Sequence, residues 1–323
     1  MTAVSIDPRS GFGGPTGQGL GQRVHRFLSA VPTWALWAVV VLWSLPTFSL
    51  FVNSFRTKTN QQEAGFWKAF ADPGGLTLEN YQAVLAAGPT GGLGNALLNS
   101  FAIAIPATVI PIAIAAFAAY GFAWIDFKGR SWLFIATVSL LAIPLQTALI
   151  PLLQTFSGGA HLTLPFIDKT VTLFPDMGLQ GTVTAVWLTH TGFGLPFAIF
   201  LLHNYISGLP KDVFESAYID GADHFTIFWR LVIPLSVPVL AAFAIFQFLW
   251  TWNDYLIALT MIGFSNPTNL PATVLIASLA GEFARLEHIL AAGAFVQSFV
   301  PIVVFFALQR YFVRGILAGS VKG

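Results

Sequence analysis

Apolar residues along this chain of 323 residues fall into six long runs that shorter polar segments separate. A helix needs about 20 apolar residues to cross the hydrocarbon core of a bilayer, and each run reaches that length. The pattern therefore predicts an all-α membrane protein with six transmembrane helices. They cover approximately Trp34–Phe55, Leu93–Ala119, Trp132–Phe156, Thr182–Ile206, Val237–Ile262 and Ile289–Tyr311.

Prolines occur inside these runs, where they would break a soluble helix because proline has no N–H and its ring clashes with an earlier carbonyl. In a bundle, neighbouring helices can satisfy the carbonyl that proline leaves free. We therefore expect the runs to remain spans. The prolines are Pro46, Pro106, Pro111, Pro144, Pro151, Pro196 and Pro301.

The polar segments divide the chain into a core and two tails. Residues 1–33 are glycine-rich and too poor in apolar side chains to offset the entropy of ordering, so we expect a largely disordered tail. Residues 34–310 form the predicted membrane domain, and residues 311–323 form a short second tail. Between the third and fourth runs, apolar and polar residues alternate around Leu162–Phe174, which predicts a short hairpin or an interfacial flap.

Composition supports this interpretation. Only 9% of the residues are charged and 55% are hydrophobic, with a mean hydropathy of +0.73. A soluble domain needs more charge than this on its surface. The absence of cysteine from the sequence excludes disulfides and thiolate sites.

The basic residues predict the orientation, because cytoplasmic loops are enriched in lysine and arginine. With both ends of the chain on the cytoplasmic side, ten of the fifteen basic residues lie inside. The inner ones are Arg9, Arg23, Arg26, Lys128, Arg130, Lys211, Arg230, Arg310, Arg314 and Lys322, and the outer ones are Arg56, Lys58, Lys68, Lys169 and Arg285.

The segment from about residue 209 to 235, between the fourth and fifth runs, is more regular than a simple link. Apolar residues recur at helical spacing on both sides of Gly221, which lacks a Cβ and suits a turn or a close approach. We expect two short amphipathic helices that join near Gly221, the second ending at Pro234. The apolar positions are Phe214, Ala217, Tyr218 and Ala222, then Phe225, Phe228, Trp229 and Val232.

This segment carries a recognisable spacing. Glu215-Ser216-Ala217 is followed by three residues, Gly221, nine residues and Leu231-x-Ile233-Pro234. It resembles the EAA loop of ABC importer permeases, whose pattern is E-A-A-x3-G-x9-I-x-L-P. The spacing matches throughout, and the substitutions Ser216, Leu231 and Ile233 are of similar size to the residues that they replace.

The resemblance extends over the six runs. Within the family, the chain is most similar to the carbohydrate-importer branch of these permeases. The last fifteen residues are similar to its MalG-like members, whereas the tail before Val31 is longer than usual and the segment 157–181 is enlarged. The short stretches that carry this likeness are Asn99-Ser100, Leu195-Pro196-Phe197-Ala198, Ile219-Asp220-Gly221-Ala222 and Trp252-Asn253-Asp254.

The resemblance implies a multi-pass permease of a prokaryotic cytoplasmic membrane that imports a sugar, polyol or oligosaccharide. Its partners are a second related permease, a dimer of cytoplasmic ATPase subunits and an extracytoplasmic solute-binding protein. This chain would be non-catalytic, with no cofactor of its own and with ATP and Mg bound by the ATPases. The sequence has no G-x-x-x-x-G-K-[ST], in agreement with that division of labour.

The resemblance assigns coupling to the EAA loop. Glu215 is the expected ionic contact to a basic group of the ATPase, Gly221 the packing or turn position, and Asp220 and Asp223 either functional residues or helix caps. The last residues of the chain are expected to reach the ATPase dimer, or to be an ordinary basic flank. The coupling residues are Glu215, Ser216, Ala217, Asp220, Gly221, Ala222, Leu231, Ile233 and Pro234, and the C-terminal ones are Gly319, Lys322 and Gly323.

Polar residues within the runs are candidates for the solute path. Asp254, in the predicted fifth span, is expected to face the bundle or a cavity, since an intramembrane carboxylate is costly. It is either a path residue or a hydrogen-bond hub. The path candidates are Asn99, Gln247, Asn253 and Asp254. His190 and His203 lack a partner at helical spacing, so we expect no metal site.

Two other function classes would leave different marks on the sequence. A stand-alone secondary transporter or channel would work without an ATPase and would show two similar halves, which the sequence lacks. A membrane enzyme would need clustered acidic, basic or metal-binding groups, whereas the 14 acidic residues are scattered over the loops.

Overall fold

The structure is a computed structural model that describes residues 32–86, 91–164, 169–264, 266–281 and 287–320. The chain divides into two compact units between Val52 and Asn53, and each is described by itself. The tail predicted over residues 1–33 lies outside the described residues, apart from its last two. In the first unit, helix α1 (Thr33–Ser54, which extends two residues beyond the unit) is apolar and 22 residues long, as predicted.

The second unit contains the remaining helices and one hairpin. The bounds are α2 Lys58–Glu63, α3 Lys68–Ala71, α4 Glu79–Leu85, α5 Gly92–Trp124, α6 Arg130–Ser139, α7 Leu145–Gly158, β1 Ala160–Leu164, β2 Lys169–Phe174, α8 Val183–Ile206, α9 Lys211–Ile219, α10 His224–Ile227, α11 Ile233–Trp252, α12 Leu256–Ile262, α13 Ala272–Gly281 and α14 Glu287–Ser320. The antiparallel pairing of β1 with β2 confirms the predicted hairpin.

Five helical stretches of the described chain are long and apolar enough to cross a membrane, and a bent pair supplies a sixth. That pair corrects the prediction of one continuous third span, because α6 and α7 meet at an angle of 100°. Ile143 between them is extended (φ −79°, ψ 116°). A residue before proline avoids the helical region, and here Pro144 follows.

The fifth predicted span, Val237–Ile262, is also interrupted. Helix α11 ends at Trp252, and α12 begins only at Leu256. The Asp254 carboxylate accepts the backbone N–H of Ala258 at 3.0 Å, so it caps the start of α12. Asp254 therefore lies in a break between two helices, and not in the middle of a span.

The sixth span, His288–Gln309, agrees with the predicted Ile289–Tyr311, but the helix that contains it is longer. Helix α14 continues through residues 311–320, which were predicted to belong to the C-terminal tail.

Helix α5 packs along α8 through small residues, as membrane helices do when their backbones approach closely. Ala115 and Ala119 of α5 and Ala198 of α8 are all fully buried in one cluster. This cluster also contains the buried side chains of α9 and α10. A second cluster lies between α7, α8 and α12, beside the hairpin.

Two prolines lie inside continuous helices, and side chains of α11 bind the carbonyls that they free. Pro111 leaves the Ala107 carbonyl without a helical partner, and the Gln247 amide donates to it at 3.1 Å. Pro301 frees the Gln297 carbonyl, to which the Trp252 indole donates at 3.3 Å. For these two prolines the expectation that neighbouring helices would satisfy the carbonyl is confirmed.

Candidate functional site

The EAA loop, residues 209–235, contains the two short helices that the sequence predicts. Helix α9 ends at Ile219 and α10 begins at His224. At the junction the Gly221 N–H donates to the Tyr218 carbonyl and the Ala222 N–H donates to the Ala217 carbonyl, both at 3.0 Å. These two bonds form a Schellman motif, which ends a helix with a residue in the left-handed region.

Gly221 is the residue that this motif requires. Its φ is +79°, a conformation that glycine adopts without the steric cost that other residues meet. A Cβ built on Gly221 would have no atom of this chain within 4 Å. Within the chain, the need for glycine therefore comes from the turn and not from close packing.

Asp223 caps the second short helix. Its carboxylate accepts the backbone N–H of Thr226 at 2.8 Å. Hydrogen bonding from Thr226 favours the charged form and lowers the pKa of Asp223 below the ordinary value for a carboxyl group. The capping role is thus confirmed for Asp223, whereas Asp220 lies at the opposite, C-terminal end of α9 and is exposed.

The EAA loop continues into the membrane without interruption. A π-helical turn, Phe228–Val232, joins α10 to α11, and the apolar helix runs from His224 to Trp252. The prediction that the second short helix ends at Pro234 is therefore wrong, because the helix continues beyond it. The Ile233 N–H donates to the Phe228 carbonyl five residues earlier, and this wider turn brings the chain to Pro234, which has no N–H to donate.

One face of the EAA loop is buried against the bundle. Phe214 is fully buried and stacks on Trp124 of α5, with ring centroids 3.8 Å apart. Phe228 is buried too and stacks on Phe117 of α5 at 4.3 Å. Three residues of the family pattern, Ala217, Leu231 and Ile233, pack partly buried against the same cluster, as does Ala222 next to Gly221.

A polar contact lies between the two aromatic stacks. The Tyr120 hydroxyl of α5 is 2.9 Å from Nδ1 of His224 in α10. The Tyr218 hydroxyl of α9 is 3.3 Å from the same nitrogen. His224 thus connects both short helices to α5, a role that its spacing along the sequence does not indicate.

The opposite face of the EAA loop is exposed and mixes charged with apolar groups. Glu215, Ser216, Asp220 and Pro234 are exposed. Sequence reasoning missed that Ile219, one turn after Glu215, is 86% exposed. Phe225 was predicted to share the stripe of Phe228 but is 67% exposed, because it points away from the buried face of α10.

Comparison with known proteins identifies the family. The family of inner membrane components of binding-protein-dependent transport systems matches residues 110–318, well over half of the chain. The chain belongs to this family. It is therefore a membrane-spanning ABC importer permease.

Similar permeases cover most of this chain. The osmoprotective compounds uptake permease protein GgtD of Synechocystis sp. is 48% identical over 291 residues, which are 89% of this chain and 90% of the relative. The alpha-glucoside transport system permease protein AglG of Rhizobium meliloti is 50% identical over 273 residues, or 84% and 67% of the two chains. The arabinooligosaccharides transport system permease protein AraQ of Halalkalibacterium halodurans is 33% identical over 279 residues, or 86% and 91%.

A solved structure has the same fold. It is a bacterial ABC transporter involved in the import of the acidic polysaccharide alginate, with a TM-score of 0.67 and 18% sequence identity. The match covers 91% of this permease and 98% of that chain.

The path candidates of the permease are each bound to backbone groups of the chain. Asn99 donates to the carbonyls of Thr268 and Leu270, at 2.7 and 3.1 Å, and Asn253 donates to Leu249 within its own helix. Gln247 is fully buried and binds the Ala107 carbonyl. Each of these side chains forms a hydrogen bond within the chain. Their assignment to the solute path stays a prediction.

Asp254 has a partner that sequence spacing did not indicate. Nε2 of His190 in α8 lies 3.5 Å from a carboxylate oxygen of Asp254, and the His190 side chain is fully buried. The Thr273 hydroxyl also donates to the Asp254 carbonyl at 2.6 Å. Asp254 thus hydrogen-bonds to α12 and α13 and contacts α8 through His190.

No group of three potential metal ligands occurs within the described ranges. At the C-terminus, Gly319 lies within α14, and Lys322 and Gly323 are outside the described residues.

Proposed function

We propose that this permease imports a glycoside or a related sugar-derived solute and is driven by separate ATPase subunits that bind the EAA loop. The observation that carries the proposal is the continuous helix from His224 to Trp252. A displacement of α10 must move α11, because no flexible link separates them. A rigid connection of this kind transmits motion from the membrane surface into the bundle.

The exposed face of the EAA loop supports docking of an ATPase. Glu215 offers a carboxylate to a basic group, and Ile219 and Phe225 offer exposed apolar surface close to it. Large exposed apolar side chains next to polar ones are typical of protein interaction sites. The turn at Gly221 joins the two helices through two hydrogen bonds, and the space where its Cβ would lie is open.

The remaining partners follow from the family. We infer a second related permease, two ATPase subunits that bind ATP and Mg, and an extracytoplasmic solute-binding protein. A structural neighbour was solved in complex with an alginate pentasaccharide-bound periplasmic protein. We infer a prokaryotic cytoplasmic membrane from the family. With both termini inside, ten of the fifteen basic residues lie on the cytoplasmic side, which supports that orientation.

The C-terminal residues complete the proposed interface. Gly319, Lys322 and Gly323 would extend from the end of α14 to the ATPase dimer. Deletion of residues 315–323 should therefore lower solute-stimulated ATPase activity, whereas an unchanged stimulation would show that this end of the chain is only a basic flank.

We infer that the substrate is an α-glucoside or a related osmoprotective compound. The relatives that are 48% and 50% identical are named for osmoprotective compounds and for alpha-glucosides, and the arabinooligosaccharide permease is 33% identical. The described residues within the spans are largely apolar with isolated amides, which suits a neutral polyhydroxylated solute better than a charged one.

A reconstituted complex tests this proposal. The permease, its partner permease, the ATPase and the binding protein are placed in proteoliposomes, and ATP hydrolysis is measured with maltose, sucrose and an arabinooligosaccharide. We expect stimulation by an α-glucoside and little by the arabinooligosaccharide. Stimulation by the arabinooligosaccharide alone would contradict the substrate class, and no stimulation of a correctly assembled complex by any solute would contradict the coupling.

A further inference from the structure

Three aromatic residues of α5 lie on one face of that helix and each contacts a different part of the EAA loop. Phe117, Tyr120 and Trp124 are spaced at i, i+3 and i+7, which places them in one row along a helix. We call this row the α5 ladder. It belongs to the second span, which is not adjacent to the EAA loop in the sequence.

The first contact of the ladder is with α9. Trp124 and Phe214 stack nearly parallel, with an interplanar angle of 12°. The Trp124 indole N–H also donates to the Ile206 carbonyl at the end of α8, which fixes the orientation of the ring. Because Phe214 is fully buried, α9 cannot move away from α5 without exposing this pair.

The other two contacts are with α10 and the π-helical turn. Phe117 stacks on Phe228 with an interplanar angle of 19° and meets Trp229 edge-on at 6.0 Å. Tyr120, which is 4% exposed, bonds through its hydroxyl to His224. The ladder therefore holds both sides of the Gly221 junction.

The packing of α5 extends these contacts into the rest of the bundle. Ala115 and Ala119, adjacent to the ladder, are fully buried against α8. Close-packed small residues leave little room for one helix to slide past the other. A displacement of α5 is consequently shared with α8.

We propose that the α5 ladder is a second route of force transmission, by which the EAA loop and the adjacent end of α5 move as one rigid body. This inference rests on the proposed function of the EAA loop and extends it from α11 to α5 and α8. Phe117, Tyr120 and Trp124 are positioning residues, since they act through the loop and not on the solute or ATP.

Removal of the polar contact gives the first test. Tyr120→Phe keeps the ring and loses the hydroxyl that meets His224, and Tyr255→Phe, at an exposed position outside the EAA loop and the α5 ladder, is the matched control. In proteoliposomes we expect Tyr120→Phe to raise the ATP hydrolysed per solute imported roughly fivefold or more, while the ATPase subunits still co-purify. A ratio equal to that of the Tyr255→Phe control would overturn the proposal.

A covalent link gives the second test and does not depend on a single deletion. The sequence has no cysteine, so Phe117→Cys with Phe228→Cys provides a unique pair that a short bifunctional thiol reagent can bridge. We expect the double variant to be poorly coupled and the bridged protein to recover import. If the bridge fails to restore import, or if the unbridged variant imports normally, the two elements do not move as one body.

The two tests distinguish failure of the α5 ladder proposal from failure of the proposed function. If the EAA loop does not bind an ATPase, the wild-type complex shows no ATPase association and no solute-stimulated hydrolysis. If only the α5 ladder is wrong, the wild-type complex is stimulated normally and the variants match it.

Discussion

At the scale of the residue, some buried polar side chains of the permease pair with backbone groups that would otherwise be unsatisfied. Gln247 illustrates this, because its amide binds the carbonyl freed by Pro111 and its side chain also fills the space above Gly194. A Cβ on Gly194 would lie 2.7 Å from the Gln247 amide, so a larger residue there would displace that amide from its position.

Replacement of Gln247 tests this role. Gln247→Leu keeps the approximate volume but leaves the Ala107 carbonyl unpaired in an apolar environment. We expect a loss of roughly 1 kcal/mol in the free energy of unfolding of the solubilised permease. Gln154→Leu, at an exposed position of α7, is the control, and equal midpoints for the two variants in thermal denaturation would contradict the assignment.

Variants at Asp254 distinguish a structural role of this carboxylate from a role on the solute path. Asparagine can cap a helix through its amide oxygen, so Asp254→Asn should retain α12 and the assembled complex, with uptake close to wild type. Asp254→Leu removes both the cap and the contact to His190 and should lower the yield of assembled complex. Loss of uptake by Asp254→Asn in a fully assembled complex would instead place this carboxylate on the solute path.

The cap on α10 has a predictable pH dependence. Because folding lowers the pKa of Asp223, its stabilisation is complete above the ordinary carboxyl pKa and is lost only as the pH falls through the lowered value. Coupling should therefore not change through Asp223 between about pH 5 and pH 8. Asp223→Asn should couple like wild type and Asp223→Ala should not, as measured by solute-stimulated ATP hydrolysis. Equal stimulation in the two variants would show that the cap is dispensable.

At the scale of the element, the hydrophobic pattern located the spans but did not show which prolines would bend them. Pro106 and Pro111 both lie inside the continuous helix α5, and Gln247 reaches the carbonyl that Pro111 frees, whereas Pro144 separates α6 from α7 by a bend of 100°. The presence of a proline in an apolar run therefore does not by itself predict a bend. The EAA loop was more predictable, since its turn and its first helix follow from Gly221 and the local spacing of apolar residues.

The conformation of Gly221 makes a sharp prediction for the element. Asparagine tolerates the left-handed region and β-branched residues do not. Gly221→Asn should therefore retain substantial solute-stimulated ATPase activity, and Gly221→Val should lose most of it while still inserting into the membrane. Equal loss in both variants would show that the partner ATPase requires the open space at Gly221, and not only the turn.

At the scale of the whole molecule, the sequence predicted the all-helical membrane fold and the membership of the importer family, and the structure and the comparisons confirm both. Long-range pairs were out of reach. His190 and Asp254 are 64 positions apart, and Tyr120 and His224 are 104 apart, so no local periodicity connects them.

The central claim is that separate ATPases drive import through the EAA loop. The direct measurement is uptake of a labelled α-glucoside into proteoliposomes that contain the complete complex, with binding protein outside and with ATP or a non-hydrolysable analogue inside. The account predicts accumulation with ATP only, unchanged by ionophores that collapse ion gradients. Accumulation by the permeases without ATPase subunits, driven by an ion gradient, would contradict it.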